Sequence, residues 1–413
     1  MNVAAVPETV DLSVQSIAAG GDGVGRSEGL VVFVPRTAPG DVARVRIHAV
    51  KRFARGRLES LIVPSEQRVE PPCKHYRDDD CGGCQLQHLL YDAQLEAKRG
   101  IVRDAIARIA KRNADVGRTR ASERQWRYRS KLTLAMRRMG SEWMMGLHPY
   151  ADPVAIFQLE DCPITDERVV ATWREIMNAA RFLPEEAELR GTVRLADDDI
   201  VVHLKGAAVW PTSVAFFDAV PSASALWWSA GNDAPRVLHE RRHAPAGVSF
   251  GQINARVAEQ LRAHVLERAR AHAPETVVDA YAGAGETAIP LASSGIRVTT
   301  IELDREAASL CARQLPERSR SLVGRVESLI AKALPADVVI VNPPRAGVHE
   351  RVTSVLEDFS RRPRAIIYVS CDPATLARDL GRLPSYRIAT IETFDMFPQT
   401  AHVETVCELV PAS

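Results

Sequence analysis

The chain has 413 residues, 46% hydrophobic and 25% charged, with a formal net charge of +1, an ordinary composition for two or three folded domains and not for a disordered chain. No apolar run approaches the roughly 18 residues of a membrane span, and the N-terminal residues lack the basic start of a signal peptide, so the cytoplasm is the expected location. Seven cysteines, an odd number spread over a long chain, do not read as a disulfide scaffold; clustered cysteines there point to metal or catalysis.

Residues 11–63 read as short strands separated by Gly and Pro turns, which predicts a small, OB-like β-barrel. The glycines of Gly20-Gly21-Asp22-Gly23-Val24-Gly25 are followed by no helix, so they read as a tight hairpin and not as a phosphate loop. Arg44, Arg46, Lys51, Arg52, Arg55 and Arg57 place positive charge on this barrel. Such a run is ordinarily a solvated face, but on an OB-like barrel it favours nucleic acid.

Cys73, Cys81 and Cys84 come next, the last pair as Cys-Gly-Gly-Cys. Two thiolates at that spacing can grip one metal centre, and the glycines let the loop curl around it. Cys162, followed by Pro163, is the best fourth ligand, ahead of His75. Four cysteines suit zinc and an iron–sulfur cluster equally well on chemistry alone.

Between residues 98 and 138 stand fourteen Lys or Arg against three acids, Asp104, Asp115 and Glu123. Trp126 and Tyr128 interleave the basic residues. The pattern predicts phosphate contacts beside a stacking surface, hence an RNA-binding segment. Residues 92–112 read as an amphipathic helix, residues 193–204 as strand, and Trp227-Trp228 as core filling within a central α+β domain.

From about residue 245 strands and helices alternate. Residues 276–281 form a buried strand leading to Ala282-Gly283-Ala284-Gly285, and a second strand ends at Glu302. Glycines that allow close backbone approach, with an acid at the second strand tip to take ribose hydroxyls, read as a nucleotide-binding βαβ unit. The loop lacks a full three-glycine pyrophosphate turn, so adenosine without phosphates fits better than NAD. A later strand carries Asn342 at its tip. Residues 366–369 then predict a strand that delivers Cys371 to the sheet's carboxyl edge, where ligands of such sheets sit. A thiol there is a candidate nucleophile.

These motifs together resemble the S-adenosylmethionine-dependent RNA (uracil-5-)-methyltransferases, in particular the subgroup that acts on 23S ribosomal RNA and carries an N-terminal TRAM domain. The likeness rests on Phe33-Val34-Pro35, the cysteine run with Gln85-Leu86-Gln87-His88, Phe250-Gly251-Gln252-Ile253-Asn254 and Asn342-Pro343-Pro344-Arg345. Ser370-Cys371-Asp372-Pro373 and residues 395–404 carry it further. The resemblance implies that Cys371 is the nucleophile, Glu404 the base, and Gln252, Tyr281, Gly283, Glu302 and Asn342 the cofactor residues. It implies that Cys73, Cys81, Cys84 and Cys162 hold a [4Fe-4S] cluster. The family usually has Asp where this chain has Asn342, and Asn where it has Asp372.

The expected fold is α/β in three parts: a TRAM-like barrel over 1–66, a central α+β domain with the Fe–S loop and basic segment over 67–240, and a Rossmann-like methyltransferase domain over 241–413. The expected activity is formation of 5-methyluridine in 23S rRNA through a Cys–C6 adduct, by a monomer without membrane contact. The alternatives are a transfer RNA 5-methyluridine or 5-methylcytidine methyltransferase, an RNA-binding factor with impaired catalysis, and an iron–sulfur redox sensor.

Overall fold

The computed structural model describes residues 8–50, 52–241 and 253–412. In β1 (Thr9–Ile17) every second residue is buried through Val14, the period of a strand with one wet face. It continues into β2 (Gly23–Ser27), β3 (Leu30–Val34), β4 (Val42–Val50) and β5 (Ala54–Val63), which close as a barrel in the order β1-β2-β3-β5-β4. Leu12, Val32, Val34, Ala43 and Val45 fill it. The glycine stretch forms the β1–β2 hairpin. Gly21, at φ +90°, lies so close to the cysteine loop that a Cβ there would stand 2.4 Å from Gln85 Cβ. The barrel therefore rests directly on that loop.

The middle of the chain holds α1 (Lys74–Asp78), α2 (Tyr91–Ala105), β6 (Lys131–Met139), β7 (Glu142–Leu147), β8 (Phe157–Gln158), α3 (Glu167–Asn178), β9 (Glu188–Ala196), β10 (Asp199–Gly206), α4 (Ser213–Asp218), β11 (Ala225–Ala230) and β12 (Arg236–Glu240). Its strands form one sheet, β12-β11-β10-β9-β6-β7-β8. Trp173 of α3 and Phe216 of α4 join Trp228 in the core on one face. Trp227, its neighbour along the strand, points the other way and packs half-buried on Val201 and Ala225. Strand alternation splits the expected tryptophan pair between two faces.

The remainder alternates: α5 (Ala255–Ala271), β13 (Thr276–Ala280), α6 (Ala288–Ser293), β14 (Arg297–Glu302), α7 (Arg305–Gln314), β15 (Arg320–Val323), α8 (Val326–Ala333), β16 (Val338–Val341), α9 (Glu350–Glu357), β17 (Ala365–Ser370), α10 (Pro373–Gly381), β18 (Tyr386–Phe394) and β19 (Glu404–Pro411). The sheet order is β15-β14-β13-β16-β17-β19-β18. Strands β13 to β17 pair in parallel, and β19 runs antiparallel to both β17 and β18. β16 and β17 are buried at every residue, as a sheet covered on both faces requires. The order reverses between β13 and β16, the switch point beside which ligands bind. Among the described residues no helix is long and apolar enough to cross a membrane.

The helix α2 does not stay with the middle of the chain. Val102 enters the same core as Leu376, Leu380 and Ile391 of the C-terminal region. On the same helix Lys98 forms an ion pair with Asp395, both side chains wholly buried, and its ammonium also donates to the Phe397 carbonyl at 2.9 Å. Burial pulls the Lys98 pKa down and the Asp395 charge opposes it. Lys98→Met would strand a buried carboxylate, so it should lower the unfolding free energy by about 3–5 kcal/mol. Adding Asp395→Leu should recover much of that loss, both read from urea denaturation.

Candidate active site

The buried strand β17 ends at the carboxyl edge of the sheet, and Cys371 follows it. The Asp372 carboxylate accepts the Thr375 N–H at 2.8 Å, and Pro373 opens α10. This cap turns the chain sharply and leaves Cys371 half-buried at the corner. Ser370 of β17 faces Thr405 of β19 in antiparallel register. The next residue outward on each strand is Cys371 on one and Glu404 on the other, so thiol and carboxyl stand opposite at one edge.

Burial, then the Glu404 charge, push the Cys371 thiol up. Burial pushes Glu404 up to about 7. Arg345, in the turn after β16, pulls both back down. The carboxyl thus changes state near neutrality, where a proton acceptor is useful. Removing its negative charge must lower the thiol pKa, and removing the guanidinium must raise it. Alkylation of Cys371 by iodoacetamide, followed by peptide mass spectrometry, should therefore shift to lower pH in Glu404→Gln and to higher pH in Arg345→Ala.

Beside this corner, β13 runs into Tyr281 at φ +63°, Gly283 at φ +54° and Gly285 at φ +90°. Gly285 has no room for a side chain: a Cβ would stand 2.5 Å from Cys311 Sγ. Glu302, at the tip of β14, accepts the N–H groups of Gly283 and Asp304, each at 2.8 Å. Each of its oxygens keeps a lone pair for a ligand hydroxyl. Asp279, buried beneath, accepts the Thr287 hydroxyl at 2.5 Å, and burial pushes it up to about 7. Asn342, exposed at the tip of β16, donates its N–H to the Ala280 carbonyl at 3.3 Å. Tyr281, Gly283, Glu302, Asn342 and Cys371 thus share one sheet edge. Gln252 lies outside the described residues.

Cys73, Cys81, Cys84 and Cys162 line one cavity of about 110 Å³. Burial raises Cys81 to about 12 and pushes Cys84 and Cys162 up as well. The Gly83 N–H points at Cys81 Sγ, 3.4 Å away. Among the described residues no group of three or more His, Cys, Asp or Glu is drawn together tightly enough for a single metal ion. The four thiols surround a space and do not close on a point. His75 is committed elsewhere, Nδ1 to Asp79 at 2.7 Å and Nε2 to the Glu160 N–H at 3.0 Å.

Arg103, Arg108, Lys111, Arg118, Arg124 and Arg138 of the basic segment are exposed, while other members are tied into the fold. Lys98 is buried. Arg112 donates to the carbonyls of Leu383 and Tyr386, Arg120 pairs with Glu392, Arg127 with Asp161 and Arg137 with Glu188. Trp126 and Tyr128 pack against Cys73, Cys84 and Ile164, and the Tyr128 hydroxyl donates to the Pro398 carbonyl. Asp161, Glu188 and Glu392, which pair with members of this run, lie elsewhere in the sequence, so a local charge count misses them. Part of the segment thus ties the fold together. Arg345 ends Asn342-Pro343-Pro344-Arg345, and sequence reasoning missed its role because its charge matters only once β16 and β17 lie side by side.

The family description "tRNA (Uracil-5-)-methyltransferase" matches residues 311–410, and "TRAM domain" matches residues 5–58. An uncharacterized RNA methyltransferase of Listeria monocytogenes is 30% identical, the match covering 97% of each chain. One of Thermosynechococcus vestitus is 32% identical, covering 97% of this chain and 98% of its own. Among solved structures, Pyrococcus abyssi tRNA (uracil-54, C5)-methyltransferase in complex with S-adenosyl-L-homocysteine superposes with a TM-score of 0.69 at 25% identity, covering 97% of this chain and 100% of that one.

Proposed function

The chain belongs to the S-adenosylmethionine-dependent RNA (uracil-5-)-methyltransferase family, with an N-terminal TRAM domain, and from that premise we propose that it makes 5-methyluridine in 23S ribosomal RNA through a transient bond between Cys371 and the base. The observation that carries the reading is the register that sets Cys371 across from Glu404.

Uracil C5 is a poor nucleophile. Addition of the Cys371 thiolate at C6 breaks the C5=C6 double bond and moves its electron pair toward C5 and the O4 carbonyl. S-adenosylmethionine, when bound, supplies a methyl group on a cationic sulfur. Once C5 carries that methyl, Glu404 takes the C5 proton. The C–H electron pair re-forms the C5=C6 bond, and the Cys371 thiolate leaves with the electrons of the C–S bond. Arg345 favours the thiolate at both ends of this cycle. The cofactor cleft fits: Glu302 has spare acceptors for ribose hydroxyls, and Tyr281 and Gly283 border the adenosine side. Asn342 is suited to the base, its amide donating to O4 and its carbonyl accepting from N3–H. The target nucleotide must leave any stack to reach this corner.

The four thiols fit a [4Fe-4S] cluster better than zinc. A single zinc ion holds thiolates at about 2.3 Å, whereas these line a cavity of about 110 Å³. Cys73, Cys81, Cys84 and Cys162 would hold the cluster, which ties residues 73–84 to residue 162 and takes no part in the methyl transfer. We divide the chain at 66/67 and 240/241 by sequence segment; α2 crosses the second division in space.

A ribosomal target is favoured by the TRAM barrel together with the cysteine set. The likeness to the Pyrococcus enzyme favours transfer RNA as the second reading. Nucleoside mass spectrometry of ribosomal and transfer RNA, with and without the gene, decides: loss of 5-methyluridine from 23S rRNA alone is expected, and unchanged 5-methyluridine in both RNAs would overturn the assignment. Cys371→Ala should abolish methylation while RNA binding persists. Glu404→Gln should instead accumulate a denaturation-resistant protein–RNA adduct, visible as a gel shift.

A further inference from the structure

Residues 395–403 connect β18 to β19 and end at Glu404. Their internal bonds are few: Thr400 donates its N–H and hydroxyl to the Phe397 carbonyl, and the His402 N–H reaches the Thr400 hydroxyl. The strong ties run to distant parts of the chain. The Gln399 carbonyl accepts the N–H groups of Gln85 at 3.1 Å and Leu86 at 2.9 Å. Gln94 on α2 makes a two-way clamp, its Oε1 accepting the Gln399 N–H at 3.0 Å and its Nε2 donating to Gln399 Oε1 at 2.9 Å. Gln85 Oε1 accepts the Ala401 N–H at 3.3 Å. Gln94 and Gln399 are 1% and 2% exposed, so these bonds meet no competing water. Gln399 sits at φ +71°, a conformation that a non-glycine residue keeps only where its surroundings over-determine it.

Gln85 directly follows Cys84. The loop that carries three of the four thiols is therefore bonded to the segment that delivers the carboxyl. Cys371 is placed differently, by a strand buried at every residue and by the Asp372 cap. Both groups meet at the β17–β19 pairing, but only the base is also the end of residues 395–403.

We propose that Gln94 and Gln85 are positioning residues for Glu404, locking residues 395–403 to α2 and to the segment that follows Cys84, so that proton abstraction, more than formation of the thiol adduct, depends on these bonds and on the state of the four thiols. This rests on the mechanism proposed above. A misplacement of about 1 Å can slow a step by roughly 100-fold. The carboxyl, at the end of that segment, is the group such a shift reaches first.

The test separates the two steps with RNA carrying 5-fluorouridine at the target, in the presence of S-adenosylmethionine. Fluorine cannot leave as a proton does, so the covalent adduct accumulates without help from Glu404. In Gln94→Ala, adduct formation on fluorinated RNA should stay within about 2-fold of wild type, while turnover on ordinary RNA falls about 10- to 100-fold and adduct builds up. Gln85→Ala, which loses one long bond to the segment, should show the same split more weakly. Wild-type protein stripped of iron should show it as well. Backbone hydrogen exchange of residues 395–403 should quicken in Gln94→Ala. Equal losses on both RNAs, no loss on either, or unchanged exchange would overturn the proposal. If wild-type protein forms no adduct with fluorinated RNA, the Cys371 mechanism fails instead, and the exchange measurement still judges the clamp.

Discussion

One antiparallel register organises the chemistry. In a purely parallel sheet the edge beyond β17 would offer only the loops that follow each strand. Here β19 returns against β17 with Ser370 facing Thr405, and residue 404 enters the edge from the opposite chain direction. A one-residue slip would turn the Glu404 side chain to the other face of the sheet. That slip is resisted by packing, since β19 is buried on both sides between β17 and β18. The buried Glu408 on the same strand adds an ion pair with Arg268 of α5 and a hydrogen bond with His272 just beyond that helix.

The electrostatics at that corner follow from the same geometry. Burial raises both the thiol and the carboxyl, and the Glu404 charge raises the thiol further. Arg345 offsets the effect because the turn after β16 lies next to β17. A carboxyl near neutrality is poised to take a proton from carbon already acidified by a neighbouring carbonyl. The cost is a thiol that ionises reluctantly until an electrophile or a cation enters the cleft.

The regions of the chain are less separable than their order implies. The barrel meets the cysteine loop at Gly21, and α2 contributes Val102 to the C-terminal core and Lys98 to Asp395. Residues 395–403 are held by partners about 300 positions away. The TRAM barrel, the cysteine loop and the catalytic edge consequently form one connected structure, in which a change at the thiols has a short covalent and hydrogen-bonded route to the base.

The one-dimensional record determined the elements that depend on local chemistry. Short runs between Gly and Pro turns marked the barrel strands, β-branched runs marked β13, β16 and β17, and glycines before Glu302 marked the cofactor turn, because backbone preference acts within a few residues. The four cysteines were legible by their type and spacing. Tertiary structure alone decided which basic residues are tied into the fold, since the partner acids Asp161, Glu188 and Glu392 are distant in sequence. It alone supplied the Lys98–Asp395 pair, the Gln94–Gln399 clamp and the role of Arg345. Charge and hydrogen bonding act through space, and no spacing along the chain announces which groups the fold will bring together.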